Sequence, residues 1–122
     1  MILGIHHAQI TIPAGAEEQA RAFYCHVLGL CEIAKPHELA GRGGLWLEVG
    51  DRQVHIGTEN GVVRSASKAH VAYLVDDLDS YRNMLATNGI EVIDGIQIPN
   101  SVRFEFRDPF GNRIEFIQAV TN

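Results

Sequence analysis

The chain runs twice through the same order of residue patterns. Gly29 and Gly89, each closing a helix-like run, stand 60 residues apart (89 − 29), and His7 and His70, each in a strand-like run, stand 63 apart (70 − 7). A unit of about 60 residues that carries one sheet buries that sheet only with help from its copy, so a duplication of this kind limits the fold to paired modules. With 122 residues and 46% hydrophobic content the chain has material for one domain with a real core. The expected organisation is therefore a single domain over 1–122, with module one at about 1–60 and module two at about 66–120.

Within the first copy, residues 5–12 alternate, with Ala8, Ile10 and Ile12 on one side and His7, Gln9 and Thr11 on the other, and Pro13 ends the strand. Apolar residues at Ala20, Phe23, Tyr24, Val27 and Leu28 follow helical spacing after an acidic first turn at Glu17 and Glu18. Strands are expected at 31–34, 45–49 and 53–57, with a loop over 35–44 and a turn at Gly50 and Asp51. A polar stretch over 59–68 reads as a linker. The second copy gives a strand over 70–75, a helix starting at Asp76 and Asp77, and strands near 91–98, 102–107 and 112–118, the last two joined by a turn at Asp108, Pro109, Phe110 and Gly111. The fold class is α+β: two βαβββ modules forming a curved, largely antiparallel sheet cup with the helices outside.

A formal net charge of −5 argues against a nucleic-acid partner, since such proteins gather Lys and Arg to displace phosphate counterions. The opening MILGIHHAQITIP lacks a cationic start and carries two histidines in its apolar stretch, so it reads as a strand and not as a secretory signal. No run approaches the ~20 apolar residues of a membrane span, and a cytoplasmic protein without membrane partners is expected. Cys25 and Cys31 have neither disulfide-framework nor CxxC spacing and read as reduced thiols.

Strand parity puts His7, His55, His70 and Glu115 on the faces turned away from the helices. His55 and Glu115 are 60 apart (115 − 55), the same offset as the glycines, so the four make two pairs related by the duplication. Imidazoles and a carboxylate suit Zn, Fe, Mn, Co or Ni, and three of them leave positions open for water and substrate. His6 shares a face with Ala8 and Ile10 and is the weaker rival of His7; His26 and His37 read as surface residues. Glu48, on the side of Trp46, is a second candidate inward carboxylate, and Arg103 and Arg107, flanking Phe104 and Phe106, read as solvated strand residues.

Four segments, IHHAQITI, ARAFYCHVLGL, KAHVAYLVDDLD and FRDPFGNRIEF, together resemble the vicinal-oxygen-chelate superfamily of glyoxalases, bleomycin-resistance proteins and extradiol dioxygenases. The resemblance covers essentially the whole chain. It implies metal ligands at His7, His70 and Glu115, and it lays His55 on a position where glyoxalase I carries a Glu that also moves a proton. An imidazole there leaves one ligand charge where two are usual, so a carboxylate shuttle is not expected to run at His55 unless Glu48 substitutes. Glu115 and His55 are the candidate catalytic groups.

By the same resemblance the expected function is a metal-dependent small-molecule enzyme, a lyase or isomerase, thiol transferase or dioxygenase, in which a divalent ion chelates vicinal oxygens of the substrate. The alternative is a non-catalytic sequestration protein. A homodimer is also implied, since related two-module chains commonly complete the site with modules of both subunits.

Overall fold

A computed structural model describes residues 1–120. The chain divides into two compact units, Met1–Val62 and the residues from Val63 onward. The first holds strands β1 (His7–Ile12), β2 (Cys31–Ile33), β3 (Leu45–Val49) and β4 (Arg52–Thr58), with helix α1 (Glu17–Arg21) between β1 and β2. The second repeats the order with β5 (His70–Leu74), α2 (Leu78–Thr87), β6 (Ile93–Asp94), β7 (Ser101–Arg107) and β8 (Arg113–Ala119). Each module is a mixed four-stranded sheet, ordered β1-β4-β3-β2 in one and β5-β8-β7-β6 in the other. The first strand runs parallel to the last, and the remaining pairings are antiparallel. The fold class is α+β with two βαβββ modules, as the repeat implies.

Alternation decides which face of each sheet is buried. Ile12, Leu45, Leu47, Val54 and Ile56 are buried in module one together with Ala20, Phe23, Tyr24 and Leu28 from the helical segment. In module two Tyr73, Phe104, Phe106, Ile114 and Phe116 are buried with Leu78 and Leu85 of α2. Tyr81 of α2 meets Phe116 edge to face at 5.1 Å, and Phe106 does the same at 4.9 Å, the arrangement that aromatic quadrupoles favour. The α2 boundaries follow local chemistry: the Asp77 side chain accepts from the Ser80 N–H, and Gly89 leaves the helix at φ 71°.

Four segments differ from the sequence expectation. The first helix is not one regular α-helix; after Arg21 it continues as π-type turns over Ala22–Val27, with Leu28 N–H donating to the Phe23 carbonyl five residues back. The loop over 35–44 contains a 3₁₀ helix, His37–Arg42, entered through Pro36 at φ −54°, a dihedral that suits a helix start. The expected linker holds a 3₁₀ turn, Arg64–Ala66, in which Arg64 is buried. The expected strand at 91–98 keeps only Ile93 and Asp94, because it pairs with β7 alone and is followed by Gly95 and Pro99, which weaken a ladder. Among the described residues no helix is long and apolar enough to cross a membrane.

Gly44 ties the 3₁₀ segment to the sheet. At φ +80° its backbone passes so close to β4 that an added Cβ would stand 2.0 Å from the Ile56 carbonyl oxygen, whereas at Gly89, also left-handed, a Cβ would meet nothing within 4 Å. Gly89→Ala should therefore cost about 1 kcal/mol for the backbone conformation alone, and Gly44→Ala more than about 3 kcal/mol as the clash displaces the loop. Paired urea melts of the two variants test the difference; equal losses would contradict the close approach.

Candidate functional site

The four sequence candidates are gathered two by two, one pair in each module. In module one Gln9 stands opposite His55 across the parallel β1–β4 ladder, and His7 opposite Gln53. In module two Ala72 stands opposite Glu115 and His70 opposite Arg113. The same parallel register thus puts the histidine of the first strand two residues before the partner of the last-strand candidate in both modules.

In module one the His55 ring lies between two others. His7 stacks on it with centroids 4.0 Å apart and planes 20° apart, and Trp46 on β3 stacks at 3.7 Å and 1°. His55 is buried, and its Nε2 is 2.8 Å from Gln53 Oε1; with the amide oxygen there, Nε2–H donates and Nδ1 keeps the lone pair. Burial first, and then the neighbouring His7 and His6, hold the His55 pKa below its usual value, so the ring is neutral and able to ligate at neutral pH. His6, which parity sets on the wrong face, joins this group after all, with its Nδ1 3.0 Å from His7 Nδ1. It precedes the first residue of β1, where strand alternation no longer governs direction. The rings line a cleft of about 520 Å³, with Lys35 and Arg42 among its other walls. Glu48, the candidate second carboxylate, is exposed and not among the cleft's lining residues.

In module two Glu115 is buried and Oε1 takes two partners, His70 Nε2 at 3.1 Å and Arg103 Nη1 at 3.1 Å. His70 Nδ1 lies 2.9 Å from the Lys68 carbonyl, an acceptor only, so Nδ1 carries the hydrogen and Nε2 of the neutral ring presents its lone pair to the carboxylate. Arg103 supplies positive charge to the carboxylate from one side, and a proton on Nε2 or a metal ion would supply it between the carboxylate and the ring. A backbone carbonyl that fixes the tautomer in this way is also the usual outer partner of a metal-ligating histidine.

The arginines are where sequence reasoning missed most. Arg103 does not extend into solvent; besides Glu115 it donates through Nε to the Ile96 carbonyl at 3.1 Å. Arg107 Nη1 donates to the carbonyls of Ser67 and Gly111, each at 3.0 Å, and holds the terminal turn. Glu105 pairs with Arg113 and stands 3.8 Å from Arg103, and the Arg113 contact, larger than the opposing effect of burial, lowers the Glu105 pKa. A signal existed in the alternation Arg103, Glu105, Arg107 beside Arg113 and Glu115, whose opposite charges meet diagonally across β7 and β8, Arg103 with Glu115 and Glu105 with Arg113. His26 and His37 are exposed, as expected. Among the described residues no three His, Cys, Asp or Glu side chains stand together as a metal site.

The family model of the Glyoxalase/Bleomycin resistance protein/Dioxygenase superfamily matches residues 4–116. A solved structure from Bacillus anthracis, assigned to the glyoxalase family, is 46% identical, with a TM-score of 0.91 over 98% of this chain and 97% of that one. At lower identity the fold is shared with a lactoylglutathione lyase from Agrobacterium tumefaciens (20% identity, TM-score 0.72, 94% and 92% of the two chains). It is shared too with an antibiotic binding protein from Streptomyces (20%, 0.69, 98% and 99%). No curated protein sequence matches the chain.

In protein treated with a chelator, long-range proton–nitrogen NMR should find neutral His70 with its hydrogen on Nδ1. His55 should titrate below the ordinary histidine range. A depressed pKa in the folded chain means that the stability His55 contributes is complete above the ordinary histidine range of about 6.5 and is lost as pH falls through its folded value. An Nε2–H tautomer at His70, or titration of His55 at or above the ordinary histidine range, would contradict these environments.

Proposed function

The chain belongs to the glyoxalase/bleomycin resistance protein/dioxygenase superfamily, and on that premise we propose that it is a metal-dependent enzyme acting on a small molecule with neighbouring oxygens. The ligand set is His7 and His55 from module one with His70 and Glu115 from module two. The observation that carries this reading is the His70–Glu115 contact, in which Nε2 stands 3.1 Å from a carboxylate oxygen while the other ring nitrogen is turned to the Lys68 carbonyl. His55 supports it in the same way, neutral and oriented by Gln53.

A divalent ion bound by these donors would act as a Lewis acid toward the substrate oxygens. The rest is done by the chain's own groups. Arg103 fixes Glu115 through Oε1 and leaves Oε2 as the oxygen able to accept a substrate proton. Gln53 holds the plane of His55, and Trp46 covers one face of the ring and excludes water from it. With Nε2–H given to Gln53, Nδ1 is the one atom through which His55 would hold the ion. The active form in this reading is a homodimer, supported by the exposure of Met1, Ile2, Leu3 and Ile5, an apolar run open to solvent.

Protein purified without added metal should carry a stoichiometric divalent ion by elemental analysis. His70→Ala and Glu115→Ala should each lose most of it while circular dichroism stays unchanged, because both groups sit on polar sheet faces outside the apolar core. Full occupancy in either variant would remove that residue from the set, and tight ligand binding that a chelator leaves unaffected would favour the sequestration alternative. Sedimentation at micromolar concentration should give a dimer; a monomer alone would contradict the assembly.

A further inference from the structure

The module-one cleft has a charge opposite to that of the protein as a whole. The chain carries a net charge of −5, yet Lys35 and Arg42 line the cleft and no Asp or Glu does. Glu38, within the same segment, is exposed and does not line the cleft, and Glu17 accepts from the Gly44 N–H at 3.3 Å. Lys35 Nζ closes the base of the loop on the Gly43 carbonyl at 2.5 Å, and the close approach of Gly44 to β4 fixes its other end. Arg42 therefore sits on an anchored segment, and its guanidinium makes no hydrogen bond or ion pair among the described residues. The column of three rings, Trp46, His55 and His7, lines the same cleft.

We propose that this cleft receives a small planar aromatic carboxylate, its ring against the Trp46, His55 and His7 column and its carboxylate on Arg42, with Lys35 adding positive charge. The proposal names the substrate class of the small-molecule reading above and rests on that reading. Guanidinium and carboxylate match as a planar two-pronged pair, which is stronger than a neutral hydrogen bond. A flat ring keeps π contact with the column, whereas an aliphatic acid gains only the charge.

Trp46 is the sole tryptophan, so intrinsic fluorescence reports on this wall directly. Chelator-treated protein is titrated with benzoate, with benzamide as the neutral analogue of the same shape, and with acetate as the charge without the ring. Benzoate should change Trp46 emission saturably, with benzamide and acetate at least about tenfold weaker, the loss expected for one charge-assisted contact. Arg42→Gln should weaken benzoate about tenfold, leave benzamide unchanged and leave the thermal melt unchanged, since Arg42 is exposed. Equal binding of benzoate and benzamide, absence of a saturable response, or an Arg42→Gln variant that binds benzoate normally would each overturn the proposal. None of these titrations needs a metal ion. Their failure therefore leaves the ligand set to be judged by metal analysis, and failure of the metal analysis leaves the benzoate result standing.

Discussion

The parallel pairing of the first strand with the last in each module is the constraint on which the rest depends. A parallel neighbour cannot be reached by a tight turn, so the chain must cross over, and the helical segment with two further strands makes that crossing. Register then becomes decisive, because a slip of one residue would turn every side chain of a strand to the other face. Gln9 opposite His55 and Ala72 opposite Glu115 are the same register in two copies. It brings the histidine of a first strand beside the candidate of a last strand twice over.

The two copies have used this frame differently. The β3 partner of His55 is Trp46, and the β7 partner of Glu115 is Glu105. Module one answers its buried imidazole with aromatic faces and an amide and with no carboxylate, and burial foremost keeps the ring uncharged. Module two answers its buried carboxylate with charge: Arg103 and His70 on Glu115, Arg113 on Glu105. A buried carboxylate left unpaired would be costly, so Arg103 is part of the site's electrostatics as much as of the sheet. Ring surface and cations mark the first copy, and a positioned carboxylate the second.

The two modules, the helix ends and the alternation of the strands were legible because each has a local signal. Gly29 and Gly89 stop helices by their backbone freedom, Asp77 caps one, and alternation separates His7 from Ile10 and Ile12. What was not legible depends on partners distant in sequence. Nothing local distinguishes the parallel β1–β4 ladder from an antiparallel one, and the π-type turns after Arg21 follow from packing Phe23 and Tyr24 into the core. His6 was set aside by a parity rule that ends where β1 begins. Arg103 looked solvated because its partner, Glu115, is twelve residues away on the next strand.

X-ray absorption at the metal edge of protein loaded with a divalent ion tests most directly the proposal that the duplicated register supplies an imidazole and carboxylate ligand set. The account predicts a first shell of nitrogen and oxygen only, with the multiple-scattering signature of several imidazole rings. A sulfur shell, which would point to Cys25 or Cys31, or a shell of oxygens without imidazole scattering, would contradict it.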